Sequence, residues 1–118
     1  MNKSKTIITD IDGTLIKHCG DITKQHLIKA ELLPGVKDKL IEWDRSGCNI
    51  ILITGRRESV RVATEQQLAK AGIFCDTLVM GIKNFDRILI NHRKPNNTED
   101  TAFAINLVRN EGMKGVEI

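Results

Sequence analysis

An apolar run, Thr6-Ile7-Ile8-Thr9, stops at two carboxylates two residues apart, Asp10 and Asp12, and Gly13-Thr14-Leu15 follow at once. β-Branched residues throughout the run specify a buried strand. Residues i and i+2 of an extended chain share a side, so Asp10 and Asp12 can approach one small volume if Ile11 turns away. Carboxylates that close repel unless a cation or a shared proton relieves them. Gly13 lets the backbone leave the strand end sharply. The stretch is suited to a divalent cation and a nucleophilic oxygen.

The remainder of the chain supplies the partners such a strand needs. Pro34-Gly35 opens a helix in which Val36, Leu40 and Trp43 fall at helical spacing, and Gly47 stops it. Asn49 to Ile53 is a second strand, a continuous apolar run of the kind covered on both faces of a parallel sheet. It ends in Thr54-Gly55-Arg56-Arg57. Glu58 to Ala71 reads as a helix with Val60, Ala63, Leu68 and Ala71 inward and Gly72 as its cap. Thr77 to Met80 is a short third strand. Arg87-Ile88-Leu89-Ile90 is expected to form a fourth, ending in Asn91-His92, and Thr101 to Asn110 a closing helix. Between Gly13 and Ala30 there is no clean period, and an irregular turn with a short hairpin is expected. The third and fourth strands are separated only by Gly81 to Asp86, whereas a parallel crossover needs a dozen or more residues. The expected fold is α/β: a three-layer, Rossmann-like, mostly parallel sheet flanked by helices, in one domain over residues 1–118.

Ligands of such sheets bind beyond the carboxyl ends of the strands. Three strands here end in polar clusters, Asp10 with Asp12, Thr54-Gly55-Arg56, and Asn91-His92, and parallel neighbours would bring them to one edge. A threonine hydroxyl can donate to a phosphoryl oxygen, and Gly55 lets a backbone amide come close. Thr54 could equally cap the helix after it. Arg56 and Arg57 could reach a substrate, but solvated arginines are the commoner case and the expectation here.

Asp10-Ile11-Asp12-Gly13-Thr14 after a hydrophobic strand resembles the first motif of the haloacid dehalogenase-like (HAD) superfamily, and Ile53-Thr54-Gly55 its second. The resemblance runs from Thr6 to about Leu107 and implies a magnesium-dependent phosphomonoesterase acting through an aspartyl-phosphate. It implies Asp10 as nucleophile, Asp12 as proton donor and acceptor, and Thr54, Gly55 and a lysine as phosphate-binding groups. Lys83 is preferred to Arg87 for the basic role, because four strand residues place Arg87 about 13 Å from Asn91, toward the opposite edge. The family's acidic fourth motif is replaced by Asn91-His92. The implied metal ligands are therefore Asp10, Asp12 and Asn91, with weakened magnesium affinity. No cap domain fits between Asp12 and Thr54 or between Thr54 and Lys83. Capless members act on large open substrates or borrow a neighbouring subunit, so the expectation is a phosphorylated sugar or similar small metabolite in a homo-oligomer, with a phosphorylated macromolecule as the open alternative. A fold relative without turnover is the second reading.

Composition narrows the field. Three Phe, one Trp and no Tyr leave few platforms for stacking bases, and no nucleic-acid partner is expected. A net charge of +3 is compatible with an anionic substrate or with solubility alone. Three cysteines without metal-type spacing suggest neither a disulfide framework nor a zinc site, and Cys48 and Cys75 are expected as small buried residues. The polar stretch Met1 to Lys5 and the short apolar run after it argue against a signal peptide, and no run reaches membrane-span length, so a cytoplasmic protein is expected. A phospho-receiver domain would need its phosphorylated Asp at the end of a later strand, where Met80 and Asn91 stand instead.

Overall fold

The computed structural model describes residues 5–118. The β-branched run near the start becomes β1, Thr6–Asp10. Helix α1, Val36–Arg45, follows Pro34-Gly35 and buries Val36, Leu40 and Trp43, the three residues whose spacing defined it. The chain leaves α1 through Gly47, whose φ of +76° suits a residue without Cβ. Strand β2, Asn49–Ile53, leads through a single 3-10 turn at Glu58–Val60 into α2, Arg61–Lys70, and then to β3, Thr77–Val79.

The sheet order is β1-β2-β3, and both pairings are parallel. Ile7 pairs with Ile50, Thr9 with Leu52, and Leu52 with Leu78, so these residues share one face. Ile50 and Leu52 are buried on it with Val36, Leu40, Trp43 and Leu68. Both crossovers step the same way along the sheet, and right-handed crossovers then lay α1 and α2 on that one face. The opposite face carries Ile8, which is 47 % exposed, with Ile51 and Val79 partly covered. The described residues thus form two layers rather than the three expected.

The missing layer traces to residues 85–108, called here the arm. Neither the fourth strand expected at Arg87–Ile90 nor the helix expected at Thr101–Asn110 forms. The arm is an irregular excursion held by its own contacts: Asn91 Nδ2 donates to Thr101 Oγ1 at 3.0 Å, and Arg93 pairs with Asp100 at 2.8 Å. Geometry explains the outcome. Gly81 N–H and Ile82 N–H are tied to the carbonyls of Arg56 and Thr54 at the end of β2. The stretch from Gly81 to Asp86 reaches at most about 20 Å. That cannot carry the chain around two strands and back to the amino end of β1, where a parallel neighbour would begin.

The chain returns from the arm at Asn110, whose N–H donates to the Gly13 carbonyl at 2.8 Å. Met113 is buried in the core, and its N–H donates to the Pro34 carbonyl at 2.7 Å. The short hairpin expected between Gly13 and Ala30 does not form as paired strands among the described residues; Ile16 makes one antiparallel bridge, to Leu32 beyond that stretch. Cys48 and Cys75 are half-buried against the core and Cys19 is exposed. Among the described residues no helix is long and apolar enough to cross a membrane.

Candidate active site

Strand β1 delivers Asp10 to the carboxyl edge of the sheet. Ile11 then turns fully inward, and its carbonyl accepts the N–H groups of Thr14, Leu15 and Ile16 at 3.2, 2.9 and 3.2 Å. This tight loop puts Asp10 and Asp12 on one cavity of about 450 Å³, together with Thr14 and Gly55. Gly13 sits at φ +89°, and a Cβ there would meet the Arg109 side chain at 3.0 Å, so both the turn and the packing require glycine.

The two carboxylates have different surroundings. Asp10 is partly open to the cavity. It accepts a long hydrogen bond from the Thr14 hydroxyl at 3.4 Å and lies 3.7 Å from the Arg87 guanidinium. Burial pushes its carboxyl above the ordinary value, Arg87 pulls it down, and the neighbouring charge of Asp12 adds to the rise.

Asp12 is buried and clamped. Arg56 Nη2 donates to Oδ1 at 2.7 Å and Nε donates to Oδ2 at 3.0 Å, a two-pronged ion pair. The Thr54 hydroxyl points at Oδ2 from 3.5 Å, and Thr54 Oγ1 in turn accepts the Arg56 N–H at 3.1 Å. Arg56 is 2 % exposed, contrary to the expectation of a solvated arginine. Its Nη1 donates to Thr64 Oγ1 and Gln67 Oε1 of α2 at 3.2 and 2.6 Å, so each nitrogen of the guanidinium meets an acceptor. Gln67 Nε2 continues the chain of bonds to the carbonyls of Gln25 and Ile28, which anchors the irregular stretch after Gly13 to α2. The missed signal was in α2: Thr64 and Gln67 stand at inward positions beside Leu68, and polar side chains there need a buried partner.

The other expected site residues are distributed as follows. Thr54 is buried behind Asp12, while Gly55 lines the cavity, where a Cβ would collide with the Asn84 side chain. Arg87 reaches the cavity through its contact with Asp10, whereas Lys83 is exposed and does not line it. Asn91 and His92 lie in the arm. Asn91 borders a separate depression with Arg93 and Asp100, and the His92 carbonyl accepts from Thr101. The structure therefore joins Asp10, Asp12, Thr54 and Gly55, and does not bring Asn91 to them.

Magnesium fits this donor set poorly. Among the described residues no three acidic, histidine or cysteine side chains gather at one point. Both Asp12 oxygens already carry Arg56 donors, and Asp10 faces a guanidinium. A hard cation takes six or more oxygen ligands; Asp10 is the one carboxylate left to offer it, the Asp12 backbone carbonyl is the ligand the family resemblance implies beside it, and Asn91 lies elsewhere.

No family model matches the sequence, and no curated protein matches it. Two solved structures do. One chain in a structure of the Pnkp1/Rnl/Hen1 RNA repair complex is 31 % identical over 71 % of this chain, with a TM-score of 0.55. A chain in a second structure of the Pnkp1/Rnl/Hen1 complex is 32 % identical over 71 % of this chain, with a TM-score of 0.57. The present chain covers 28 % and 30 % of those chains, so it spans less than a third of their length.

Proposed function

We propose that the chain is a phosphomonoesterase of the HAD type, with Asp10 as its nucleophile. The observation that carries this is the pairing of one accessible carboxylate with one clamped carboxylate at the carboxyl edge of a parallel sheet, on a single cavity that Arg87 also lines. An Asp10 oxygen attacks phosphorus, the ester P–O bond breaks, and the leaving oxygen takes a proton. Water then attacks the aspartyl-phosphate, gives up a proton, and releases inorganic phosphate with Asp10 restored. Asp12 handles both protons in this scheme, which requires one prong of its Arg56 ion pair to open so that the freed oxygen can carry the proton. Arg87 offsets the charge gathering on the phosphoryl oxygens, the role first given to Lys83. Gly55 lines the cavity, and the space its missing side chain leaves is taken by the Asn84 side chain.

The substrate class follows less directly. A phosphorylated sugar was the expectation from the missing cap. The likeness to chains of an RNA repair complex supports a phosphorylated nucleotide end instead, and it supports work within an assembly. The two readings separate in one screen of p-nitrophenyl phosphate, phosphosugars and nucleoside monophosphates, run with chelator and with magnesium, manganese or cobalt. Turnover is expected, and Asp10→Asn should lower it about a thousandfold or more while leaving the fold intact. Equal rates for parent and Asp10→Asn would remove Asp10 from the chemistry. A second reading, a phosphate-binding relative without turnover, is favoured by the position of Asn91 and His92 outside the cavity. It predicts no turnover with any metal.

A further inference from the structure

Three guanidiniums surround two carboxylates at this site, and they are not equivalent. Arg56 is committed to Asp12, and Arg87 faces Asp10. Arg109 lines the same cavity, yet among the described residues it has no ion pair and no side-chain hydrogen bond. It is also held in place. Its stem lies against Gly13, with Cγ and Nε at 3.0 and 3.6 Å from where a Cβ would stand.

The next residue, Asn110, fixes that placement with three hydrogen bonds to the loop of the two aspartates. Its N–H donates to the Gly13 carbonyl at 2.8 Å, its Oδ1 accepts the His18 N–H at 2.8 Å, and its Nδ2 donates to the His18 carbonyl at 3.3 Å. Asn110 does this at φ +65°, a conformation asparagine tolerates better than most residues. His18 lines the cavity too. Its Nδ1 accepts the Gly20 N–H at 2.8 Å, which leaves Nε2–H as the donor of the neutral ring.

A phosphoryl group brought against Asp10 occupies Arg87. Arg109 is exposed and solvated at the cavity, so a second phosphate on the substrate would find there a guanidinium that no protein carboxylate has claimed. We infer that Arg109, with His18 beside it, binds a second phosphoryl group of the substrate, so the site selects phosphomonoesters that carry another phosphate. The inference rests on the phosphomonoesterase reading and narrows its substrate class. Arginine suits the task, because its planar fork matches two phosphate oxygens at once.

The test compares substrates that differ only in the second phosphate: a nucleoside 3′,5′-bisphosphate against the 3′-monophosphate, and a hexose 1,6-bisphosphate against the 6-phosphate. The parent protein should favour the bisphosphate of one pair by about tenfold or more in kcat/KM, chiefly through KM. The preferred pair identifies a nucleotide or a sugar as the source. Arg109→Ala should bring the ratio close to unity, and Arg109→Lys should restore part of it. A parent without preference, or a ratio unchanged in Arg109→Ala, would overturn the inference. If the parent hydrolyses neither pair, turnover of p-nitrophenyl phosphate decides the phosphomonoesterase reading, and calorimetric binding of the same four compounds decides this one. Tighter binding of a bisphosphate that Arg109→Ala abolishes would uphold it, and equal affinities would overturn it.

Discussion

Two runs of this chain are nearly the same string and meet opposite fates. Ile50-Ile51-Leu52-Ile53 forms the central strand, with Ile50 and Leu52 at 1 % and 0 % exposure. Ile88-Leu89-Ile90 stands in the arm, at 84, 61 and 90 %. The difference lies in the flanks. The first run has α1 before it and α2 after it, long enough to return the chain to the amino edge of the sheet. The second follows a link too short for that return, and Arg87 at its start is drawn to Asp10 at the carboxyl edge. An apolar run expresses a demand for burial, and the connection decides whether a partner can be reached.

The ion pairs repeat the contrast. Arg56 with Asp12 and Arg93 with Asp100 have nearly equal separations, 2.7 and 2.8 Å. The first pair is 0 % and 5 % exposed, and the second 62 % on both sides. Arg56→Ala should cost about 3–5 kcal/mol in urea unfolding, because Asp12 is left buried without its counter-charge. Arg93→Ala should cost less than about 1 kcal/mol. Equal losses would mean that the arm is covered in solution.

Next in size, Leu52→Ala should cost about 2–5 kcal/mol for a large side chain lost from a filled core. Ile90→Ala should stay within about 0.5 kcal/mol. A loss at Ile90 matching that at Leu52 would erase the distinction between the two runs and show that the arm packs against something.

The smallest effect concerns pH. Burial raises the Asp10 carboxyl above its ordinary 3.8, so the folded protein holds that proton more tightly than the unfolded chain does. The associated stability is full below pH 3.8 and declines as pH rises toward the elevated value. Metal-free Asp10→Asn should lack this decline, and its stability from pH 4 to pH 7 should be flatter than the parent's. Parallel curves would place the cause elsewhere.

The aspartate loop, three strands and both α-helices were legible because each depends on short-range patterns: a β-branched run, a Gly after a helical period, a Pro-Gly before one. Arg56 was not legible from its own type, since arginines are usually solvated. Its burial is written in Thr64 and Gln67, two polar residues on the inward side of α2 that make sense only with a buried guanidinium between them and Asp12. The arm was misread because local pattern carries no information about the route by which a strand reaches its neighbour. The crowded spacing from Gly81 to Asp86 was already at odds with a parallel fourth strand. Arg109 escaped notice for a related reason. Nothing in its sequence neighbourhood resembles the aspartate loop, and it reaches Gly13 only because the chain comes back.

That return has a consequence for how the molecule would respond to being cut. The segment after the arm is fastened by Asn110 to Gly13 and His18 and by Met113 to Pro34 and the core. A protease that severed the exposed turn at Lys94-Pro95-Asn96-Asn97 would release no piece of the active site. The two fragments should travel together under native conditions and part only in denaturant, with Asp10 and Arg109 still lining one cavity in the nicked protein.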